Sequence, residues 1–399
     1  MSGQQSSRVD TVVTPLKRLL REFDLRESEG RREFLGFPFR DFSSLNGITS
    51  GLRPSHLTLL ATTSSNLRSQ FLLQLVISVI NESKIPVLFM CFETSPEVLI
   101  SQTLSRYTNL SMDTILTGKI KSNANLKESL KGGLEKFSKF QSYLHVVGGS
   151  QNDTIEQIEA YVQELKIRYK TDKAVLVVDS LQRIPCYNFH SSHAERVSDA
   201  ANRLRILANS NRIAVLAGSE ISKEGELIEI ADNKQRLEIS HCLGSDDLGR
   251  YADFILTASK SWIDSNDLEN MLRQRAEASA CDVDNLPVLK VIDVYSDKLG
   301  SGPDSPQIVQ FLAVPESGIL VELGKFSDQV LVRQNRIDKA LTHLIDQKAV
   351  RFTEVDHGSE NILSGSPSID IAPNSPDVGG NSAVSADKKR IKPSIKLNR

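Results

Sequence analysis

The chain has 399 residues, which is enough for one large globular domain with additional segments, and its formal net charge is −2. That charge excludes a general electrostatic attraction to nucleic acid, so any basic binding site must be local. The four cysteines are scattered, no secretory signal pattern is present, and no apolar run is long enough to span a bilayer. We therefore expect a cytoplasmic protein without a membrane segment.

The first predicted element is a helix near the amino terminus. Residues 1–13 are polar and predicted to be disordered, and Thr14 and Pro15 then provide an N-cap and a first-turn proline. Apolar side chains follow at helical spacing, at Leu16, Leu19, Leu20 and Phe23. This stripe could pack on the chain's own domain or dock on a neighbouring subunit. We interpret residues 14–35 as a linker-type helix.

Strands and helices alternate between residues 56 and 218. The predicted strands are 56–61, 86–92, 142–147, 174–179 and 213–218. The predicted helices are 70–82, 96–107, 125–137, 154–169 and 194–210. Continuous apolar strands between amphipathic helices are typical of a parallel sheet that is covered on both faces. The predicted fold class is therefore α/β.

The pattern changes after Tyr251 to strands without regular helical crossovers, which predicts an antiparallel extension of the sheet. These strands are predicted at residues 254–258, 287–295, 307–315 and 319–323. A charged helix is predicted to be inserted at residues 264–280, and a C-terminal helix occupies residues 326–350. Residues 351–399 are rich in Ser, Gly, Pro and Asp, so we predict a disordered tail with a basic end.

The turn after the first strand stands where a nucleotide-binding loop is expected, and residues 62–69 read TTSSNLRS. In a P-loop, glycines let backbone N–H groups wrap the phosphates, a lysine reaches the β- and γ-phosphates, and a hydroxyl holds Mg²⁺. Of these features only the hydroxyl is present, at Ser69. The turn therefore occupies the position of a P-loop but differs from the P-loop pattern in the central part of its sequence.

Four stretches of the chain, in this order, resemble the C-terminal RecA-like motor domain of replicative DNA helicases of the DnaB type. They read SLNGITSGLRPSHLTLLA, FETSPEVLISQTLSRYTNLSMDTILTGKI, VLVVDSLQRI and LGSDDLGRYADFILT. The resemblance implies a RecA-like P-loop NTPase fold over residues 36–325, with ATP and Mg²⁺ as cofactors and a homo-oligomer, such as a ring, as the assembly. Residues 14–35 take the place of the family's linker helix, which docks on the adjacent subunit.

The resemblance also implies roles for individual residues. Glu93 matches the glutamate that orients and deprotonates the attacking water, and Glu220 stands where the family has a sensor glutamine. Lys298 remains from a K-x-R finger that reaches the neighbouring site, with Gly300 in place of the arginine. The implied cofactor-binding positions are Thr62, Ser65, Leu67, Arg68, Ser69 and Asp179. Among these, Ser69 and Asp179 would hold Mg²⁺.

Several of these positions depart from the family pattern. Leu67 replaces a glycine that needs close backbone approach, and Arg68 replaces the lysine with a larger, planar cation. Leu67 and Arg68 affect the binding of the phosphates. Glu220 affects the sensing of the γ-phosphate, and Gly300 affects the stabilisation that one subunit gives to its neighbour's site. We therefore predict a degenerate motor-domain homologue with weak or lost ATPase activity and a structural or regulatory role in DNA metabolism. A divergent active helicase or translocase, and a RecA-type regulator acting through its tails, remain alternatives.

DNA contact is predicted to be weak and to involve the carboxyl-terminal tail. The loop that would face a ring's central channel, residues 222–240, carries more acidic than basic side chains, which disfavours phosphate binding. The clear basic cluster consists of Lys388, Lys389, Arg390, Lys392, Lys396 and Arg399. A role in solubility and an acidic protein partner remain alternatives for this cluster.

Overall fold

The computed structural model describes residues 35–62, 65–108, 110–118, 124–186, 192–230, 235–244, 247–261, 263, 265–279, 286–299 and 306–346, with six residues of the amino-terminal segment. The chain divides into two compact units, residues 1–355 and residues 356–399. The second unit, and with it the predicted disordered tail and its basic cluster, lies outside the described residues.

The described residues form a nine-stranded mixed sheet. Its strands are β1 (Leu57–Thr62), β2 (Val87–Cys91), β3 (Leu144–Gly148), β4 (Val175–Asp179), β5 (Ala214–Ser219), β6 (Phe254–Lys260), β7 (Lys290–Leu299), β8 (Ile308–Val314) and β9 (Ile319–Lys325). They lie in the order β3-β2-β4-β5-β1-β6-β7-β8-β9. The pairs from β3 to β6 are parallel, and the last three pairs are antiparallel. The predicted α/β class with its antiparallel extension is confirmed.

Helices lie between the strands of the parallel part and beside the extension. They are α1 (Ser43–Thr49), α2 (Ser65–Ser83), α3 (Pro96–Thr108), α4 (Met112–Thr117), α5 (Ala124–Ser138), α6 (Ile155–Tyr169), α7 (His193–Asn211), α8 (Lys223–Ile230), α9 (Leu248–Tyr251), α10 (Ser265–Ala278) and α11 (Val330–Asp346). Helices α1, α4, α8 and α9 were not predicted because each has at most eight residues, too few for a clear 3.6-residue period. Consequently, the interpretation of residues 222–240 as a loop is wrong at α8.

The core explains why the parallel strands are apolar throughout. Successive side chains of a strand point to opposite faces. On β1, Leu60 joins an apolar layer that contains α2, whereas Leu59 and Ala61 join a second layer that contains α6 and α7. A third apolar cluster covers the antiparallel extension with side chains of α10 and α11. The sheet is therefore rigidly held on both faces, and its strand ends are fixed relative to one another.

Part of the predicted linker-type helix lies within the described residues. Val13, Leu16, Lys17, Leu20, Arg21 and Asp24 are helical. Val13, Leu16 and Leu20 are each about half exposed, whereas Leu19 and Phe23 lie outside the described residues. The described side chains of the apolar stripe are thus exposed. Whether the stripe packs on the chain's own domain or docks on a neighbouring subunit is not tested by these contacts and stays a prediction.

Candidate nucleotide site

The candidate site lies at the carboxyl edge of the parallel strands. Helix α2 begins directly after β1 and places Arg68 and Ser69 in its first two turns. Asp179 is the last residue of β4, and Glu93 follows β2 by two residues. Because β2 and β4 are adjacent and in register, with Cys91 opposite Asp179, both carboxylates lie at one edge of the sheet. The sequence-predicted positions for phosphate, metal and water chemistry are brought together.

The centre of this site is the guanidinium of Arg68, whose side chain is only 2% exposed. Its Nε donates a hydrogen bond to Asp179 Oδ1 at 2.8 Å, and its Nη2 forms an ion pair with Glu93. Its Nη1 donates to the backbone oxygen of Ser219 at 3.4 Å. One cation therefore binds both the carboxylate that the resemblance assigns to the metal ion, Asp179, and the one that it assigns to the attacking water, Glu93.

Ser69 closes the same cluster. Its hydroxyl donates to Asp179 Oδ2, so both oxygens of the Asp179 carboxylate accept hydrogen bonds from protein groups. Asp179 is itself only 2% exposed. A Mg²⁺ ion at Ser69 and Asp179 would need these oxygens as ligands, directly or through its water shell. In this arrangement, the residues present do not fit a bound Mg²⁺.

Gly218, on β5, makes room for the buried arginine. A Cβ atom at this position would lie 2.7 Å from Arg68 Cδ and 2.9 Å from its Nε. Contacts this close require the arginine side chain to move. Sequence analysis missed Gly218, although a glycine inside a buried strand is a known sign of close approach by another group. Helix α2 thus supplies the buried Arg68, and β5 leaves the space for it because Gly218 has no side chain.

Glu220, the predicted sensor position, is held by neighbours that sequence analysis did not identify. It accepts hydrogen bonds from Ser180 Oγ at 2.8 Å and Arg183 Nε at 2.6 Å. Its backbone N–H donates to Gln182 Oε1 at 2.9 Å. Burial raises the pKa of Glu220, but the hydrogen bonds from Arg183 and Ser180 and the charges of Arg183 and Arg68 lower it further than burial raises it. Glu220 is therefore an ionised carboxylate with its own cationic partner.

Lys298, the predicted remnant of the trans finger, contacts its own chain. Its Nζ donates to the backbone oxygens of Gly249 at 2.8 Å and Ala252 at 2.7 Å. Gly249 lies within the one-turn helix α9 and Ala252 directly follows it, where a cation stabilises the unpaired acceptors at the end of a helix. Gly300 lies outside the described residues. The trans role of Lys298 stays a prediction.

The remaining loop positions are only partly described. Thr62 is buried at the end of β1, and Leu67 packs against the apolar layer that contains α2. Thr63 and Ser64, as well as the side chain of Ser65, lie outside the described residues. The implied cofactor-binding roles of Thr62, Leu67 and Ser65 therefore stay predictions.

Other chemistries find little support in the part of the chain that the structure describes. No group of three His, Cys, Asp or Glu side chains there is arranged to hold a metal ion. Burial, and then the charge of Asp179, raises the pKa of Cys91 to about 12, so this thiol is protonated and unreactive near neutral pH. Among the same residues, no helix combines the length and apolar character needed to cross a membrane.

Comparison of the sequence with protein families identifies the family of this chain. The family model of the DnaB-like helicase C terminal domain matches residues 39–281. The match covers all six strands of the parallel part of the sheet and the whole Arg68 cluster. The chain belongs to this family.

Individual relatives are distant and longer. The chain is 26% identical over 187 residues to a probable replicative DNA helicase of Trieres chinensis, covering 46% of this chain and 40% of that protein. It is 23% identical over 231 residues to the replicative DNA helicase DnaB of a Nostoc species, covering 56% of this chain and 25% of that protein. The chain thus spans less than half the length of these relatives.

Among the solved structures that share the fold, two show the extent of the likeness. One is an isolated ATPase domain, which superposes with a TM-score of 0.61 at 16% identity, covering 78% of this chain and 99% of that domain. A DnaB-like replicative helicase, described with its interactions with primase, gives a TM-score of 0.59 at 16% identity and covers 80% of this chain and 68% of the other. At this level of identity, the likeness shows the RecA-like fold alone.

Proposed function

We propose that this chain is a degenerate homologue of the replicative helicase motor domain, with weak or lost ATPase activity and a structural or regulatory role in DNA metabolism. The observation that carries the proposal is the buried Arg68 cluster. The guanidinium binds Asp179 and Glu93 at once, and Ser69 binds the second oxygen of Asp179. The Arg68 guanidinium thereby binds the carboxylates that a nucleotide and its metal ion would need.

Competition between this cluster and Mg²⁺-ATP gives the physical basis. To free Asp179 for a metal, the Arg68 guanidinium must leave a carboxylate that is 2% exposed. Breaking a buried ion pair costs about 3 kcal/mol or more when the partner is not replaced, so the new contacts of Mg²⁺ and the phosphates must first offset a loss of this order. An equal loss of binding free energy corresponds to roughly a hundredfold weaker affinity. Nucleotide binding is thus disfavoured before the changes in the loop are considered.

Calorimetric titration of the full-length protein with a non-hydrolysable Mg²⁺-ATP analogue tests the proposal. We expect no saturable binding at micromolar concentrations. The variant Arg68→Lys is titrated in the same way for comparison with the unaltered protein. Lysine is the family's residue at this position, and as a shorter, flexible cation it binds Glu93 and Asp179 less tightly. Micromolar affinity in the unaltered protein that is lost in Asp179→Asn would contradict the proposal.

One observation favours the alternative of a divergent, active ATPase. Ser69 contacts Asp179, and Arg68 contacts both Asp179 and Glu93, so the three side chains of the expected reaction lie together beside the carboxyl edge of the sheet. In that case, Arg68 would turn from the carboxylates to the phosphates when nucleotide binds. The calorimetric titration separates the two functions, because only the active form requires Asp179 for nucleotide affinity.

We also propose a homo-oligomer in which the amino-terminal helix docks on a second copy. Support comes from the half-exposed Val13, Leu16 and Leu20, which lie on a helix in the place of the family's linker. Each buried apolar side chain contributes about 1.5 to 3 kcal/mol before association costs. Deletion of residues 1–30 should lower the oligomeric state without unfolding the sheet. Light scattering that finds the full-length protein monomeric at tens of micromolar would remove the basis for this proposal.

DNA binding, where present, is proposed to reside in the basic tail. Six cations within residues 388–399 can neutralise several phosphates, whereas α8 carries Glu224, Glu226 and Glu229 on the segment expected to face DNA. Binding should therefore be weak, tolerant of sequence and steeply dependent on salt. Truncation after Asp356 should abolish it, as measured by fluorescence anisotropy on labelled single-stranded DNA across a salt series. Unchanged affinity in the truncated protein would return the site to the RecA-like unit.

A further inference from the structure

Two parts of the connection between β5 and β6 pair with each other beside the candidate nucleotide site. They are residues 220–222 and 241–243, which run antiparallel, and we refer to them as the paired ends. The N–H of Leu243 donates to the backbone oxygen of Glu220 at 2.9 Å, and the N–H of Ser222 donates across the pair at 2.8 Å. Helix α8 begins directly after Ser222. The arrangement of the paired ends therefore sets where α8 starts.

The turn that follows β4 holds both paired ends through its side chains. Gln182 donates from Nε2 to the backbone oxygen of Leu243 at 3.0 Å, and its Oε1 accepts a hydrogen bond from the N–H of Glu220 at 2.9 Å. The hydroxyl of Ser180 and Nε of Arg183 both donate to the Glu220 carboxylate. One short turn thus contacts the start and the end of the connection. We refer to its side chains Ser180, Gln182 and Arg183 as the turn clamp.

Gln182 is the main contact of the turn clamp. Its side-chain amide is buried and also donates to Ser219 Oγ at 2.9 Å. Separation of the paired ends would break several hydrogen bonds of this amide at once, which is costly for a buried polar group. The ion pair of Arg183 with Glu220 contributes less, because the Arg183 side chain is 56% exposed and solvent screens the interaction.

We infer that the turn clamp keeps the paired ends, and with them the start of α8, in one arrangement when no nucleotide is bound. The inference rests on the proposed function, in which a nucleotide no longer controls this domain. Every hydrogen bond of the clamp joins two protein groups, so the arrangement needs neither a phosphate nor a metal ion. A fixed α8 suits a structural or regulatory component, whose surface must stay constant for a partner.

Two buried cysteines serve as reporters for a test of the turn clamp. Cys242 lies in the paired ends and Cys91 lies in β2, and each is 3% exposed. Labelling of Cys242 by N-ethylmaleimide therefore requires separation of the paired ends, whereas labelling of Cys91 requires opening of the sheet. The rates at both thiols are measured by mass spectrometry on the full-length protein without nucleotide. In the unaltered protein, Cys242 should react much more slowly than the partly exposed Cys186.

Gln182→Leu is the variant with the largest expected effect. It keeps the approximate size of the side chain but removes its hydrogen bonds, so labelling of Cys242 should accelerate by about tenfold. The rate at Cys91 should stay nearly unchanged. Arg250→Gln is the matched control, because it removes a 79% exposed cation from the same connection and should leave both rates unchanged.

Arg183→Gln keeps the test decisive where Gln182→Leu does not fold, because Arg183 is exposed. This variant should accelerate the labelling of Cys242 by a smaller factor. Rapid labelling of Cys242 in the unaltered protein would overturn the inference, as would unchanged rates in the folded clamp variants or an equal acceleration at Cys91. The proposed function fails separately, through calorimetric binding of a Mg²⁺-ATP analogue, whereas the clamp is judged on the protein without nucleotide.

Discussion

Replacing Arg68 with alanine is expected to lower the free energy of unfolding by about 3 to 5 kcal/mol. The substitution leaves Asp179 buried and Glu93 partly buried, each without its cationic partner. It also opens a cavity beside Gly218, where the arginine side chain now packs. Urea denaturation followed by circular dichroism measures the change directly.

An exposed ion pair provides the control for this experiment. Arg168 and Glu164 pair on α6, and their side chains are 55% and 62% exposed. Arg168→Ala should therefore change stability by less than about 1 kcal/mol. If Arg68→Ala is no more destabilising than this control, the Arg68 cluster is not a structural element of the fold, and the proposal of a degenerate site loses its main support.

Gly218→Ala tests the same cluster from the opposite side. The added methyl group would meet Arg68 at Cδ, in the middle of the side chain, so the guanidinium cannot keep its place by rotating its tip alone. A destabilisation of about 1 to 3 kcal/mol is expected from overpacking. In the double variant Arg68→Ala with Gly218→Ala, the second substitution should cost much less, because the two contacts with Arg68 are gone and only the contact with Leu72 Cδ1 at 3.0 Å remains.

The second large effect concerns catalysis: the purified protein is expected to hydrolyse ATP far more slowly than about 10 s⁻¹, a typical enzyme turnover, with or without single-stranded DNA. Loss of a finger arginine alone lowers turnover by about a thousandfold or more in other NTPases. The resemblance implies that Gly300 stands in place of that arginine and Glu220 in place of the sensor amide. In the structure, Arg68 is bound to the two acidic groups. Each change acts on a different part of the reaction.

Coupled-enzyme measurement of phosphate release checks this expectation. Asp179→Asn and Glu93→Gln serve as controls for contaminating ATPases, because a genuine activity at this site must fall in both variants. Turnover near 10 s⁻¹ in the unaltered protein that disappears in both controls would reject the proposal and favour the active ATPase. Turnover that persists in both controls belongs to another enzyme in the preparation.

The sequence was sufficient for the fold because its signals are local and repeated. The apolar runs of β1, β2, β4 and β5 are buried on both faces, so each strand is recognisable without knowledge of its neighbours. The resemblance to the DnaB family was likewise carried by short stretches in a fixed order, and the family match confirms it. Short helices such as α8 escaped prediction because fewer than three turns give no clear periodicity.

The chemistry of the site, by contrast, was decided by tertiary structure. Sequence analysis identified Arg68, Asp179 and Glu93 as functional positions, but the fact that one guanidinium binds both carboxylates depends on how β2 and β4 end beside α2. Gly218 is 150 residues from Arg68 in the chain, yet its missing side chain provides the space for that arginine. A glycine within a buried strand can indicate that another group approaches closely, but which group it is follows only from the packing of the whole sheet.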